Sequence, residues 1–207
     1  ALYLRDAAGR TWVEGGQEIL GSDYRLPSAW TPGAWSDQTF KLSLPPATPP
    51  GRYHVELGVF DPDSGQRLGV WDEDGAFAGL SLDLGRVTVV APERPPTPGE
   101  VNMIRRIDPP LVADPLRLLG QNPPPAQVAS GDVVFFDLFW QATAAPDTDY
   151  ALRWQLLTPG NPAVSATVEQ VIPLSPYATG QWRDGELEQV RYDLSIPPDV
   201  PTGRYDL

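Results

Sequence analysis

Few side chains in this sequence can do chemistry, and their spacing narrows what that chemistry is. His54 is the only histidine, and there is no cysteine. A nucleophile–histidine–carboxylate relay needs an imidazole oriented by an acid. His54 falls between Arg52 and Glu56, where the alternation of Tyr53, Val55, Leu57 and Val59 places it on the outward face of a strand. It reads as surface decoration. One histidine without a thiolate also cannot complete a tetrahedral zinc site. No catalytic residue, metal or cofactor is therefore assigned.

Paired carboxylates, which glycoside hydrolysis requires, are densest at Asp61/Asp63 and Asp72/Asp74. Each pair ends in a glycine, Gly65 or Gly75, and stands between apolar runs, so turn formation accounts for both. Asp61-x-Asp63-x-Gly65 opens like a calcium loop but lacks the distal bidentate glutamate. The seven tryptophans are the better lead, because an exposed indole offers an apolar face with a polar edge. Trp140 and Trp154 sit in strongly apolar runs and read as core. Trp30 and Trp182 recur at equivalent places and read as structural. Trp12, Trp35 and Trp71 lie near turns. Of these, Trp35 and Trp71 are the candidate ligand-binding residues, for a glycan or polysaccharide, with core or edge packing as the alternative use.

The elements that must position these residues are strands. The 25 prolines and 19 glycines are spread between short apolar runs. Proline removes a backbone donor and glycine costs entropy on ordering, so this punctuation leaves little room for helices. The expected class is all-β, as tandem antiparallel β-sandwich repeats, immunoglobulin-like or carbohydrate-binding-module-like in layering.

A self-comparison shows the repeat directly. Residues Trp30–Val55 align without gaps on Trp182–Leu207 at a constant shift of 152. Trp30 meets Trp182, Gly33 meets Gly185, and Leu42-Ser43 meets Leu194-Ser195. Pro45-Pro46 meets Pro197-Pro198, Pro49 meets Pro201, and Gly51-Arg52-Tyr53 meets Gly203-Arg204-Tyr205. Trp35 stands opposite Leu187, so the fold does not demand an indole there, and His54 stands opposite Asp206.

In this reading Phe40, Leu42 and Leu44 form a half-buried strand, and Pro45–Gly51 is a turn or edge crossing. Tyr53–Val59 is a second strand. Asp61–Gly65 turns into a strand over Gln66–Val70, and Asp72–Gly75 turns toward Leu80, Leu82 and Leu84, the half closing on Val87–Val90. In the second half Val133–Trp140, apolar on both faces, is a central strand, with Tyr150–Leu157 as its neighbour ending at Thr158–Gly160. The expected domains are residues 1–90 and 101–207, joined by a stiff proline-rich linker over 91–100. The first half has no counterpart of Gly131–Trp140, and the second stops where the first continues. The expectation is a fragment cut inside two copies, whose halves pair with each other or are covered by flanking or neighbouring chain.

Charge narrows the partners. The formal net charge is −12, with 12 acids against 7 bases in residues 1–90 and 15 against 8 in the remainder. Such a surface repels a nucleic-acid duplex or an anionic bilayer. No apolar run reaches the length of a membrane span, so no membrane insertion by this chain is expected.

Several pieces together resemble a known region. They are Gly131-Asp132, Phe139–Ala142, Asp149-Tyr150, Trp182-x-x-Gly185, Leu194-Ser195-x-Pro197 and Pro201-x-Gly203-x-Tyr205. The first half adds Gly58–Pro62, Ser64-Gly65-x-Arg67-Leu68, Asp74-Gly75 and Leu84-Gly85-x-Val87-x-Val89. This resembles the extracytoplasmic C-terminal β-sandwich region of bacterial, Chloroflexi-type membrane glycosyltransferases of the dolichyl-phosphate-mannose protein mannosyltransferase-like family. The resemblance covers most of the chain, but its motifs are turn and core residues. It implies an accessory module at the cell surface, attached to a membrane protein and in contact with the rest of its parent chain, and it implies no transferase activity here. One departure stands out. The strand after Asp149-Tyr150 often carries a histidine in that family and here reads Ala151–Gln155. Three readings follow: a non-catalytic structural or partner-contact region, a carbohydrate-binding module, and a small glycoside hydrolase.

Overall fold

The computed structural model describes residues 1–16, 25–61, 63–157 and 168–205. Among them the regular elements are strands, apart from single 3-10 turns at Pro27–Ala29 and Thr179–Gln181. In chain order the strands are β1 (Leu2–Arg5), β2 (Thr11–Gly15), β3 (Gly51–Leu57), β4 (Val70–Trp71), β5 (Phe77–Gly79) and β6 (Leu82–Val89). The series continues with β7 (Arg105–Ala113), β8 (Leu116–Asn122), β9 (Val133–Ala142), β10 (Ala151–Leu156), β11 (Val168–Pro173) and β12 (Leu187–Ser195). All observed pairings are antiparallel. The all-β class is what the chain adopts. Pro62, the Thr158–Gly160 turn, and Asp206 and Leu207 opposite His54 and Val55 lie outside the described residues.

The chain divides into two compact units, Ala1–Pro45 with Arg52–Val89, and Pro46–Gly51 with Val90–Leu207. The first unit holds a four-stranded sheet in the order β2-β1-β3-β6. Leu2 pairs with Leu57, and Leu4 with both Val55 and Val13, so alternation gathers their side chains on one face. There Leu4, Trp12 and Tyr53 are buried, with Val13, Leu42, Val55 and Val89 packed against them.

Two expected strands of this unit differ from the reading above. The strand over Gln66–Val70 is reduced to β4 and a bridge between Phe60 and Arg67. Phe40–Leu44 joins no ladder among the described residues. Its side chains nonetheless alternate, Phe40 and Leu42 half-buried, Thr39, Lys41 and Ser43 exposed. Pattern alone sets which face a side chain takes, but a ladder also needs a neighbouring strand.

The second unit is a two-layer sandwich. One layer is a sheet in the order β12-β9-β8-β7, and the other is the β10–β11 ribbon. As expected, β9 is central. β10 is not its ladder neighbour: it pairs with β11 in the facing layer, where Trp154 meets Phe136 of β9 edge-on at 4.6 Å between ring centroids. Val134, Phe136, Leu138, Trp140, Val190, Tyr192 and Leu194 fill the space between the layers with Leu156 and Leu174. The other face of the sheet carries Leu119, Phe139 and Leu187, covered by Val101, Met103 and Ala47. Ala47 comes from the proline-rich turn of the first copy. Its carbonyl accepts the Gln189 N–H at 2.8 Å, so Pro46–Gly51 covers the outer edge of β12.

The repeat holds at the level of single hydrogen bonds. Trp30 and Trp182 each close a 3-10 turn, with backbone angles of −76°, 143° and −72°, 144°. Each indole N–H donates to a carbonyl five residues back, Arg25 at 2.9 Å and Tyr177 at 3.1 Å. Gly33 and Gly185 then take φ of +87° and +77°, the left-handed region that glycine enters without Cβ strain. The same shift sets β1 on β10, Leu2 and Leu4 standing for Trp154 and Leu156. Tyr205 donates its hydroxyl to the Pro201 carbonyl at 2.9 Å, in the manner of the tyrosine corner of immunoglobulin-like sandwiches.

Candidate functional site

The two candidate tryptophans are both on the surface of the first unit. Trp35 is 72% exposed, and Trp71 is 64% exposed. Trp71 ends β4 and meets Phe77 of β5 edge-to-face, with ring centroids 5.6 Å apart at 72°. A Cβ at Gly69 would stand 3.2 Å from both rings, so the missing side chain there gives the pair its seat. The short ribbon is fixed beneath them by Asp72, whose carboxylate accepts the N–H groups of Asp74 and Ala76 while its carbonyl takes that of Gly75. Among the described residues Trp35 makes no ring contact, whereas Trp71 is seated with Phe77.

The acidic clusters are engaged in their own loops. Asp61 accepts the Asp63 N–H at 3.0 Å and the Ser64 hydroxyl at 2.8 Å, and the Ser64 bond holds its carboxyl below the usual range. Among the described residues no three histidine or carboxylate side chains gather closely enough to hold a metal ion. His54 is partly exposed beside β6, its Nδ1 4.0 Å from the Asp83 carboxylate, in keeping with a surface position. In the 91–100 segment Arg94 and Thr97 both donate to Glu100, the Arg94 bond doing most to bring that carboxyl down to about 2.

Among the described residues four carboxyls are buried, Asp6, Asp137, Glu186 and Glu188, and the sequence reading singles out none of them. Glu186 immediately precedes β12 and Glu188 lies near its start, and both are fully enclosed. Glu186 accepts from Arg183 Nε at 2.9 Å. Glu188 accepts the Ser175 hydroxyl at 3.0 Å on Oε2, while Oε1 has no hydrogen-bond partner among the described residues. Burial pushes the Glu188 carboxyl well up, the Ser175 bond opposes this, and the Glu186 charge adds to it. The signal was present: Glu188 has the parity of Val190, Tyr192 and Leu194, so alternation turns it inward. A groove of about 530 Å³ runs past Ser175, Asp149, Tyr150 and Thr179. Ser175 is held there by the Tyr177 N–H and by Glu188. Hydroxyl and acid brace the loop after β11.

Compared with known families, curated proteins and solved structures, the chain matches no family model, no curated protein and no solved structure. The class its geometry defines is an all-β, sandwich-type protein with an internal repeat.

Proposed function

We propose that this chain is a non-catalytic, extracytoplasmic accessory β-sandwich region of a larger membrane glycosyltransferase-like protein, with a structural or partner-contact role. One observation carries the reading. The residues that recur between the copies act twice in the same way as scaffold, Trp30 and Trp182 through matching turns and indole hydrogen bonds. The extracytoplasmic setting and the parent protein come from the resemblance of turn and core motifs, which implies architecture without transferase chemistry. No helix among the described residues is long and apolar enough to cross a membrane. The test is incubation of the 207-residue chain with a panel of soluble polysaccharides and activated sugar donors. Unchanged substrates fit an accessory region, whereas released reducing ends or transferred sugar would overturn it.

A second reading, a carbohydrate-binding module, is favoured by the exposed Trp71–Phe77 pair. Titration of tryptophan fluorescence with the same panel addresses it. A saturable shift that is lost in Trp71→Ala supports binding, and a flat response across the panel removes the reading.

A further inference from the structure

The internal repeat shows what one exposed segment of the first unit is shaped to receive. In the second unit β12 is zipped to β9, with Leu194 opposite Val134, Tyr192 opposite Phe136 and Val190 opposite Leu138. Ile196 N–H donates to Asp132 at 2.8 Å, whereas Gln189 N–H points the other way, to Ala47. Alternate residues of a strand address opposite neighbours, so Val190, Tyr192, Leu194 and Ile196 direct their backbone groups at β9. The shift of 152 maps the last three of these onto Phe40, Leu42 and Leu44.

That counterpart has the pattern of β12 but no strand paired with it among the described residues. Thr39–Ser43 alternates in burial like a strand, Leu44 is exposed, and the segment belongs to no ladder among the described residues. The difference shows in exposure: Tyr192, Leu194 and Ile196 are buried, while Phe40 and Leu42 are half-buried and Leu44 is 46% exposed. Leu42 reaches the core of Leu4, Trp12 and Tyr53, so the segment is already seated on its sheet.

We infer that Thr39–Leu44 is an acceptor edge for one antiparallel β-strand of β9 type, apolar at every second position. The occupant places a Val134-like side chain opposite Leu42 and a Phe136-like side chain opposite Phe40. Backbone hydrogen bonds along Phe40, Leu42 and Leu44 supply affinity, and the alternate apolar side chains supply register. The inference names the partner for the contact role proposed above and rests on that reading. Sugar transfer or glycan cleavage would sink the contact role without altering peptide binding, so the two failures are distinguishable.

The test uses the full 207-residue chain and a fluorescein-labelled synthetic peptide of its own residues 130–141, flanked by lysines for solubility. Anisotropy is expected to show saturable one-to-one binding, with new hydrogen-exchange protection at Phe40, Leu42 and Leu44. N-methylation at the peptide positions of Val134 and Phe136, whose amides face the acceptor, should weaken binding about tenfold or more. N-methylation at Phe135 and Asp137, which face away, should change it less than about twofold. Because only the peptide is altered, the fold of the protein is not at issue. Absence of saturable binding, equal effects of the two methylation patterns, or protection elsewhere would overturn the inference. So would self-association of the chain that protects the same amides and resists the peptide.

Discussion

Tyr192 and Phe40 occupy the same place in the two copies, and one oxygen separates them. The Tyr192 hydroxyl donates to the Leu174 carbonyl and accepts the Trp140 indole N–H at 3.2 Å, linking both layers of the sandwich inside the core. Tyr192→Phe leaves a buried acceptor and a buried donor without that partner. It should cost about 1–3 kcal/mol in urea unfolding, whereas the same deletion is already the natural state at Phe40. Glu188 makes the opposite case. Below about pH 4 the folded and unfolded chains both hold its proton. As pH rises, the unfolded chain releases that proton first, and stability falls until the raised folded value is passed, by about 1.4 kcal/mol per unit of elevation. Glu188→Gln should therefore melt like the parent near about pH 4 and above it near about pH 8. A variant less stable at the higher pH would show that ionised Glu188 has a partner. Parity along β12 made this inward carboxyl legible. The hydroxyl that meets it was not, because Ser175 reaches it from the loop after β11, and spacing says nothing about that approach.

At the scale of elements, the sequence pattern spoke clearly wherever one strand settles its own face and poorly wherever two must choose each other. The centrality of β9 followed from its two apolar faces, and the acidic turns followed from aspartate and glycine spacing. The pairing of β10 did not, since Leu152, Trp154 and Leu156 fit equally a neighbour in the ladder or a ribbon across the core. The β7–β8 pair was missed altogether. It contains Asp108-Pro109-Pro110 and a register shift, and it closes only because Gly120 lets another backbone approach. A Cβ at Gly120 would stand 2.6 Å from the Arg105 carbonyl oxygen and 2.8 Å from Met103 Sδ. Gly120→Ala should destabilise the second unit by about 1–3 kcal/mol in thermal unfolding, as overpacking does, with the loss concentrated at β7.

For the whole molecule, the repeat was the strongest sequence signal, and it is what makes the structure readable. The first unit displays the sheet that begins with the β1–β2 hairpin and continues through β3 and β6. The second displays the sheet around β9 and β12 with the matching β10–β11 hairpin. The units divide between Val89 and Val90, and the excursion of Pro46–Gly51 into the second unit was not legible in the sequence. Its evidence is tertiary: Ala47, at φ +71°, touches a core that its own copy does not supply. Ala47→Asp should speed hydrogen exchange at the Gln189 amide about tenfold or more, while Ala47→Gly, which suits that φ, should preserve protection. Equal protection in both variants would show that the edge of β12 is closed by other means.

That excursion places the seams of the sequence and the seams of the packing at different points along the chain. A gene duplicated, spliced or trimmed at the tidy period of the repeat would strip the cover from Phe139 and Leu187 of the adjoining unit. Stable copy-number variants of such an array should carry their junctions on the far side of the Pro45–Gly51 turn, so that each transferred block brings along its neighbour's edge.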